Sequence, residues 1–522
     1  MIAAALLAAS LATAPSRYVV LRLRTTVFGV AGTGTIAVDR RTGRFARRLA
    51  AGPASVSEGW DGTRAWRADA TGLGRIEGNA GERGEILAWS RVLVRALRIE
   101  RPLDVTVSSG RDHTALAFDR IGPDGVPHRI VATSTQDGTW SASVISVATP
   151  KALPPSAFAP GPAPHDATLA GVTRVPASMR AGSPQIDVVV DGVRLRCYFD
   201  TGGQNVITAA AAARIGMQPV GAGIVRGGGG GTVPIRFAFA RTVRIGAATL
   251  RHQPFIVLPG SIFGVDGIVG YEVLARLAAR LDMTRETLAL APRASAFGPP
   301  QHPLHFVYVD HQPQVAGAVA GIRGPLTIDT GSSLNAEVQA GAVHRYDLVQ
   351  RWHARITADV ADVGKRYPVY VVRVPSLRIG HRVVPTPLVE LQTHLDPTDD
   401  RPTLANVGDG ILRGWIIVLD YPDQTIDLRA GGAVASTVVR DHSGIVLAPA
   451  GNALIAGTVL GGTPAAAAGI VTGERILGID GRVVTAADVV RVRARLRGAP
   501  GTRVWLRLGD GSTRTFTLRR YL

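Results

Sequence analysis

Between residues 17 and 150 apolar and polar positions alternate in short stretches: RYVVLRLRTTVFGV, TGTIAVD, HTALAFDRIG, HRIVATST and TWSASVIS. Successive side chains of an extended chain point to opposite faces, so a period of two predicts half-buried strands. Asp61-Gly62 and Asp124-Gly125 fall between such stretches and suit tight turns, which predicts an antiparallel β domain over 17–150. The alternation stops at 151–165, KALPPSAFAPGPAPH, whose Pro and Ala content reads as a linker. Further breaks fall at 293–303, RASAFGPPQHP, and at 430–443. The chain thus divides into 17–150, 166–293, 304–430 and 441–522.

The chain has 522 residues, too many for one core, and its 61 Gly and 33 Pro suit a turn-rich, mainly β protein. The formal net charge of +18 raises the question of nucleic acid. The basic residues are nearly all Arg, scattered without a basic run, with Lys only at Lys151 and Lys365, and no nucleic-acid motif accompanies them. A solvated basic surface is the plain reading, attraction to an anionic envelope surface the other, and no nucleic-acid partner is expected. Cys197 is the sole cysteine, so no internal disulfide and no Cys metal site can form. It lies in an apolar run and reads as a buried structural thiol. Residues 2–12 are apolar and Ala12-Thr13-Ala14 offers a small-x-small cleavage site. A signal peptide over 1–14 is therefore expected, and with it an exported, periplasmic or cell-envelope location. The alternatives are a misplaced start or an apolar first strand. No later stretch is apolar for long enough to predict a transmembrane helix.

Between the breaks lies an internal repeat. The first copy reads VRLRCYFDTGGQNVITAAAAARIG, then VRIGAATLRHQPFIVL, then VDGIVGYEVLARLAARLDMTRETLAL. The second reads IRGPLTIDTGSSLNAEVQAGAVHRY, then LRIGHRVVPTPLVEL, then GDGILRGWIIVLDYPDQTIDL. A DTG turn, an IG hairpin, an Asp-Gly-apolar segment at Asp266 and Asp409, and a strand pair beginning Leu-Asp recur in order.

The DTG turns carry the candidate chemistry. YFD and TID are strand endings that deliver Asp200 and Asp329 into tight turns. Gly202 and Gly331 allow close approach of the backbone, and Thr201 and Thr330 set a hydroxyl beside each carboxylate. Alone, each motif reads as a capped turn with a solvated Asp. Two such turns brought together share one proton, because two adjacent carboxylates cannot both ionise cheaply. A water between them can lose a proton to one as the other hydrogen-bonds a carbonyl oxygen. The pair titrates as a unit, which leaves the two roles unassigned.

On these motifs residues 166–430 resemble a retropepsin-like aspartic peptidase with two lobes fused as in the pepsin family. Hydrophobic-Asp-Thr-Gly followed by hydrophobic-hydrophobic-Gly, here Ile268-Val269-Gly270, carries the resemblance. It implies a bilobal aspartic-protease β-barrel fold, an Asp200–Asp329 dyad and peptide-bond hydrolysis with no metal or cofactor. It also implies that Thr201 and Thr330 interlock and that Gly202 and Gly331 line the floor. A flap is implied too, and VRGGGGGTVP is the candidate, with Gly227, Gly228, Gly229, Gly230 and Gly231 at its tip. As a phosphate-cradling loop this run lacks a following Lys-Ser or Lys-Thr and a helix; a plain flexible loop stays open. The corresponding region of copy two, about 352–368, has no glycine tip, so one working flap is expected.

The sequence departs from the family pattern at Gly203 and Arg413, and it has no clear flap tyrosine of the pepsin kind. Gly203 stands where a Ser or Ala helps fix the Asp, whereas Ser332 fits the pattern in copy two. Arg413 stands at the place matched to Gly270, with Gly414 one step later.

Residues 441–522 resemble a bacterial PDZ domain, on the match GTPAAAAGIVTGERILGIDGRVV. That resemblance implies strand addition of a peptide and capture of its C-terminal carboxylate at Gly444-Ile445-Val446-Leu447, beside a helix bearing Val489, Val492 and Leu496. Ordinary core packing is the other reading of those three. EGWDGTRAWRAD in the first domain resembles hairpins of bacterial lipoprotein-carrier-like domains, and no activity is drawn from it.

The expectation is an exported aspartic endopeptidase acting on peptide or protein substrates, with a PDZ module holding a protein's C-terminal tail. A noncatalytic envelope scaffold with a decayed dyad is the main alternative, favoured by Gly203 and Arg413. An envelope-assembly factor binding apolar ligands through residues 17–150 is the other.

Overall fold

The computed structural model describes residues 16–98, 101–109, 112–122, 126–134, 138–179, 182–227, 231–262, 264–362, 365–394, 403–431 and 442–521. The expected signal at 1–14, the turn at Asp124-Gly125, and Gly228, Gly229 and Gly230 lie outside these residues. The chain divides into two units, one ending at Pro164 and the other running from His165 onward.

In the first unit a ten-stranded sheet follows a meander order, with Tyr18–Val27 and Gly138–Ala148 adjacent at its middle. Tyr18–Val27 alternates buried and exposed along its second half, as its period-two sequence requires. The period-two reading omits the helix Ala80–Ala96. Asn79 caps it, its side chain accepting from the Gly81 and Glu82 backbone N–H groups. Ile86, Trp89, Leu93 and Ala96, three or four residues apart, form its buried stripe. Residues 151–165 are not a free linker. Phe158 is fully buried against Tyr18 and Ala37, and Trp66 Nε1 donates to its carbonyl at 2.7 Å. The Pro-rich composition thus marks an irregular strap closing over the sheet.

The second unit holds two β lobes related by a repeated register. In the first, Gln185–Val190 pairs with Val193–Phe199, so that Gln185 faces Tyr198, two residues before Asp200. In the second, Gln312–Val319 pairs with Ile322–Ile328, and Gln314 faces Thr327, two residues before Asp329. The lobes join through a six-stranded sheet. The closing strands Ala278–Asp282 and Trp415–Asp420 lie side by side at its centre, with Ala279 opposite Leu419. One continuous apolar core runs through both lobes, from Ile186 and Phe199 to Ile328 and Leu419.

A five-stranded antiparallel path with helices Pro464–Ala467 and Val489–Leu496 forms the C-terminal module. Its strand Arg503–Leu508 alternates strictly between exposed and buried, and Val492 and Leu496 are fully buried in its core. Among the described residues no helix is long and apolar enough to cross a membrane.

Candidate active site

Asp200 and Asp329 sit at the ends of Val193–Phe199 and Ile322–Ile328, whose last three residues are all buried. A short parallel strand braces each end. Asp200 N donates to Val269 O and Asp329 N to Val407 O, both at 3.0 Å. The apolar strand endings are needed because each strand passes through the core to reach its turn.

The two turns pack face to face. A Cβ on Gly202 would lie 2.5 Å from Asp329 Oδ1, and one on Gly331 would lie 2.3 Å from Asp200 Cγ. Each glycine therefore makes room for the opposite carboxyl group. Thr201 N donates to Thr330 Oγ1 and Thr330 N to Thr201 Oγ1, each at 3.0 Å. The hydroxyls pass on to the Ile328 and Phe199 carbonyls, at 2.7 and 2.8 Å.

The oxygens of the pair are not held alike. Gly202 N donates to Asp200 Oδ1 at 2.7 Å, and Gly331 N to Asp329 Oδ1 at 2.9 Å. Asn406 Nδ2 additionally donates to Asp329 Oδ2 at 2.7 Å. Burial, then the Asp329 charge, push the Asp200 carboxyl well above the usual carboxylate range. The two are close enough for Asp329 to hydrogen-bond Asp200, and the His311 charge pulls the other way. A third carboxyl, Asp409, is fully buried; burial raises it well above the ordinary range, and the nearby Asp329 and Asp200 charges add to that.

The carbonyls of the glycines are capped from the opposite lobe. Ser183 Oγ donates to Gly331 O at 3.2 Å, and Gln312 Nε2 donates to Gly202 O at 2.8 Å. These two residues are equivalent in the repeated register, within Ser183-Pro184-Gln185 and Gln312-Pro313-Gln314. His311 Nε2 lies 3.2 Å from the same Gly202 carbonyl, and its Nδ1 is 2.8 Å from the Asp310 carboxylate.

The strand pairing corrects one sequence assignment. Gly267–Val269 runs parallel to Val193–Phe199, and Ala405–Val407 runs parallel to Ile322–Ile328 in the same register. The counterpart of Gly270 is therefore Gly408, not Arg413. A Cβ on Gly270 would meet Asp200 O at 2.1 Å, and one on Gly408 would meet Ser332 O at 2.6 Å. Tyr271 N donates to Gly203 O and Asp409 N to Ser332 O, so Asp409 matches Tyr271 rather than Asp266. Arg413 falls at the C-terminus of the short helix Asp409–Leu412. Asp266 is a lobe-surface group, paired with Arg214 at 2.9 Å. One of the two features favouring a decayed dyad is thereby removed.

Gly203 has its own steric reason. A Cβ there would lie 2.6 Å from Asp200 Oδ2 and 3.3 Å from Ile268 Cγ2. Ser332 Oγ accepts from Leu334 N at 3.4 Å, while Asn406 holds the outer oxygen of Asp329. Sequence reading missed Asn406, Gln312, Ser183 and His311.

The flap candidate is a hairpin of Val220–Arg226 with Thr232–Ile245, and Gly227 N donates to Gly231 O at 2.9 Å where the strands part. The lobe-two counterpart, Ile356–Asp362 with Lys365–Arg373, is fastened both near its turn and near its base. Tyr367 OH donates to Glu337 Oε1 at 2.6 Å. Ile356, Tyr367, Val369 and Val371 pack around Leu460 of the C-terminal module. Gly461 N donates to Thr357 O at 2.8 Å.

In that module Gly444 has φ +87° and a Cβ there would meet Thr463, so glycine is required. Ile445 and Leu447 are buried, Val446 is exposed, and Val489 is partly buried against the core. Val492 and Leu496 belong to the core rather than to a groove. Leu460 N donates to Gly444 O at 2.9 Å, so the glycine loop is tied to the segment that meets lobe two. Arg493 Nη2 donates to Leu447 O at 3.0 Å, bridging helix and strand. Cys197 is buried, and its thiol is pushed up to about 12, by burial first and then by the Asp266 and Asp187 charges. Among the described residues no group of three or more His, Cys, Asp or Glu is placed to hold a metal ion.

Residues 186–273 match the family model described as aspartyl protease, and residues 456–508 match that of the PDZ domain. No curated protein matches the chain. Among solved structures, the aspartic proteinase from Irpex lacteus is similar at 15% identity and a TM-score of 0.36, over 51% of this chain and 99% of that one. The chain is thus similar to retropepsin-like aspartyl proteases through its first lobe and to PDZ domains at its C-terminus.

Proposed function

We propose that the chain is an aspartic endopeptidase whose reacting groups are Asp200 and Asp329. The observation that carries this is the mutual packing of the two DTG turns, in which each glycine lies against the opposing carboxyl group. A singly ionised pair is the form this burial favours, because a second negative charge in the same desolvated space is costly. The carboxylate takes a proton from a bound water as the water oxygen attacks the peptide carbonyl carbon. The protonated partner gives its proton to the carbonyl oxygen, forming a neutral tetrahedral diol. The C–N bond then breaks as the nitrogen takes the proton gained from water. One diol hydroxyl returns its proton to the pair. The products are a carboxylic acid and an amine, and the singly ionised pair is restored.

Peptide or protein substrates would lie beneath the hairpin of Val220–Arg226 and Thr232–Ile245, whose backbone can pair with an extended chain. The C-terminal module would hold a protein's C-terminal tail at Gly444 to Leu447. Export to the periplasm or cell envelope, from the N-terminal sequence, completes the proposal. Cleavage of unfolded casein by the full chain, abolished in Asp200→Asn and blocked by pepstatin, is the expected result. Equal cleavage by both proteins would sink the dyad reading.

A further inference from the structure

The pair is symmetric in its turns and asymmetric in what lies behind them. The residue two places before the bracing glycine is Ile268 in lobe one and Asn406 in lobe two, by the matched parallel registers. Only the second offers a polar group. Asn406 Nδ2 lies 2.7 Å from Asp329 Oδ2, while Ile268 Cγ2 faces the Cβ position of Gly203. Asn406 Oδ1 is buried without a hydrogen-bond partner. The amide therefore spends its NH2 on the carboxylate, an orientation that suits an ionised Asp329, whose oxygens only accept.

We propose that Asn406 is a positioning residue that assigns the two roles, holding Asp329 as the carboxylate that receives the water proton and leaving the shared proton on Asp200. This rests on the reading of the pair as the reacting groups. A hydrogen bond to the charged form favours that form. Asn406 should thus ease the first ionisation of the pair, which sets the acid limb of the pH–rate profile. It should leave the second ionisation, loss of the proton from Asp200, nearly unchanged. The remaining titratable groups facing the pair are His311 from the turn before Gln312–Val319, Asp409 after Ala405–Val407, and Tyr421, whose hydroxyl donates to Thr201 O.

The test compares the full-length wild type with Asn406→Ile, the side chain lobe one carries, and Asn406→Asp. Two readouts are taken: kcat/KM against pH on a casein-derived peptide, and carbon-13 titration of labelled Asp carboxyls, which needs no turnover. In Asn406→Ile the acid limb should move up by about one pH unit, a roughly tenfold loss on the acid side, with the alkaline limb in place. In Asn406→Asp the new carboxyl, protonated in acid, can still donate, so acid-side activity is retained and alkaline-side activity falls. The first ionisation of the pair, followed on its labelled carboxyls, should move up in Asn406→Ile. A lowered plateau with both limbs unmoved, or a first ionisation of the pair insensitive to Asn406→Ile, overturns the assignment. An inactive wild type would instead contradict the peptidase reading, and the carboxyl titration would then decide the role of Asn406 by itself.

Discussion

Thr201 and Thr330 exchange backbone-to-hydroxyl hydrogen bonds at 3.0 Å each way, and each hydroxyl donates onward to a carbonyl of the other lobe's strand. Both residues are fully buried, so water cannot replace any of these bonds. Thr201→Val keeps the shape but removes one donor and one acceptor. Leaving such buried groups unsatisfied costs about 1–3 kcal/mol each. Calorimetry of the full chain should show an earlier unfolding transition for Thr201→Val and a near-native one for Thr201→Ser. An unchanged transition for Thr201→Val would mean that the lobes do not depend on this lock.

Gly203 is where the first DTG turn departs from the pattern of the aspartic peptidases it resembles, which invites the idea that Ser would improve it. The geometry predicts the reverse. A Cβ at 203 lies 2.6 Å from Asp200 Oδ2, so any side chain must displace the carboxyl from its partner. Gly203→Ser should lower kcat/KM by at least about tenfold, as small misplacements of reacting groups do. A gain would show that Asp200 has room to be re-seated.

Arg413 and Gly408 exchange significance once the strands are paired. Arg413 Nε donates to Asp409 O at 3.2 Å at the end of the short helix, so Arg413→Ala should cost no more than the roughly 1 kcal/mol of a single hydrogen bond. Gly408→Ala sets a Cβ 2.6 Å from two backbone carbonyls, of Leu334 and Ser332, and should destabilise the second lobe. Urea titrations of the two variants check both statements. The opposite order of effects would restore Arg413 as the counterpart of Gly270.

The lobe-two hairpin is pinned by the C-terminal module through Leu460 and Gly461. Leu460→Asp places a charge in an apolar cluster and should undock the module without unfolding it. Hydrogen exchange over 356–373 should then rise, and exchange over 220–245 should stay as in wild type. Unchanged exchange over 356–373 would show that the contact adds no local stability.

Much of the site could be read in the sequence because the chain says it twice. CYFDTGG and LTIDTGS repeat at an offset of 129 positions, the separation of the interlocked threonines. Ser183-Pro184-Gln185 and Gln312-Pro313-Gln314 lie at the same separation. That short echo was the available signal for the residues that cap the glycine carbonyls. The bracing element was misread for a physical reason. Asn406 breaks the apolar pattern of Ala405-Asn406-Val407-Gly408, while Asp409-Gly410-Ile411 imitates Asp266-Gly267-Ile268 a few residues too late. Only the parallel pairing tells the two apart. The helix Ala80–Ala96 was hidden among period-two stretches, although Asn79 and the buried Ile86, Trp89 and Leu93 follow helical spacing. The docking of Leu460 on lobe two joins segments about a hundred residues apart, and nothing local in either encodes it.

The central claim is that Asp200 and Asp329 act as one acid–base unit on a peptide bond. The most direct measurement is the initial rate of peptide cleavage by the full chain and by Asp200→Asn, Asp329→Asn and the double variant, at the optimal pH of the wild type. Because the two carboxyls share one proton, each single change should cost at least about a hundredfold, and the double change little more than either alone. A single variant that cleaves at the wild-type rate, or losses that multiply in the double variant, would contradict the account.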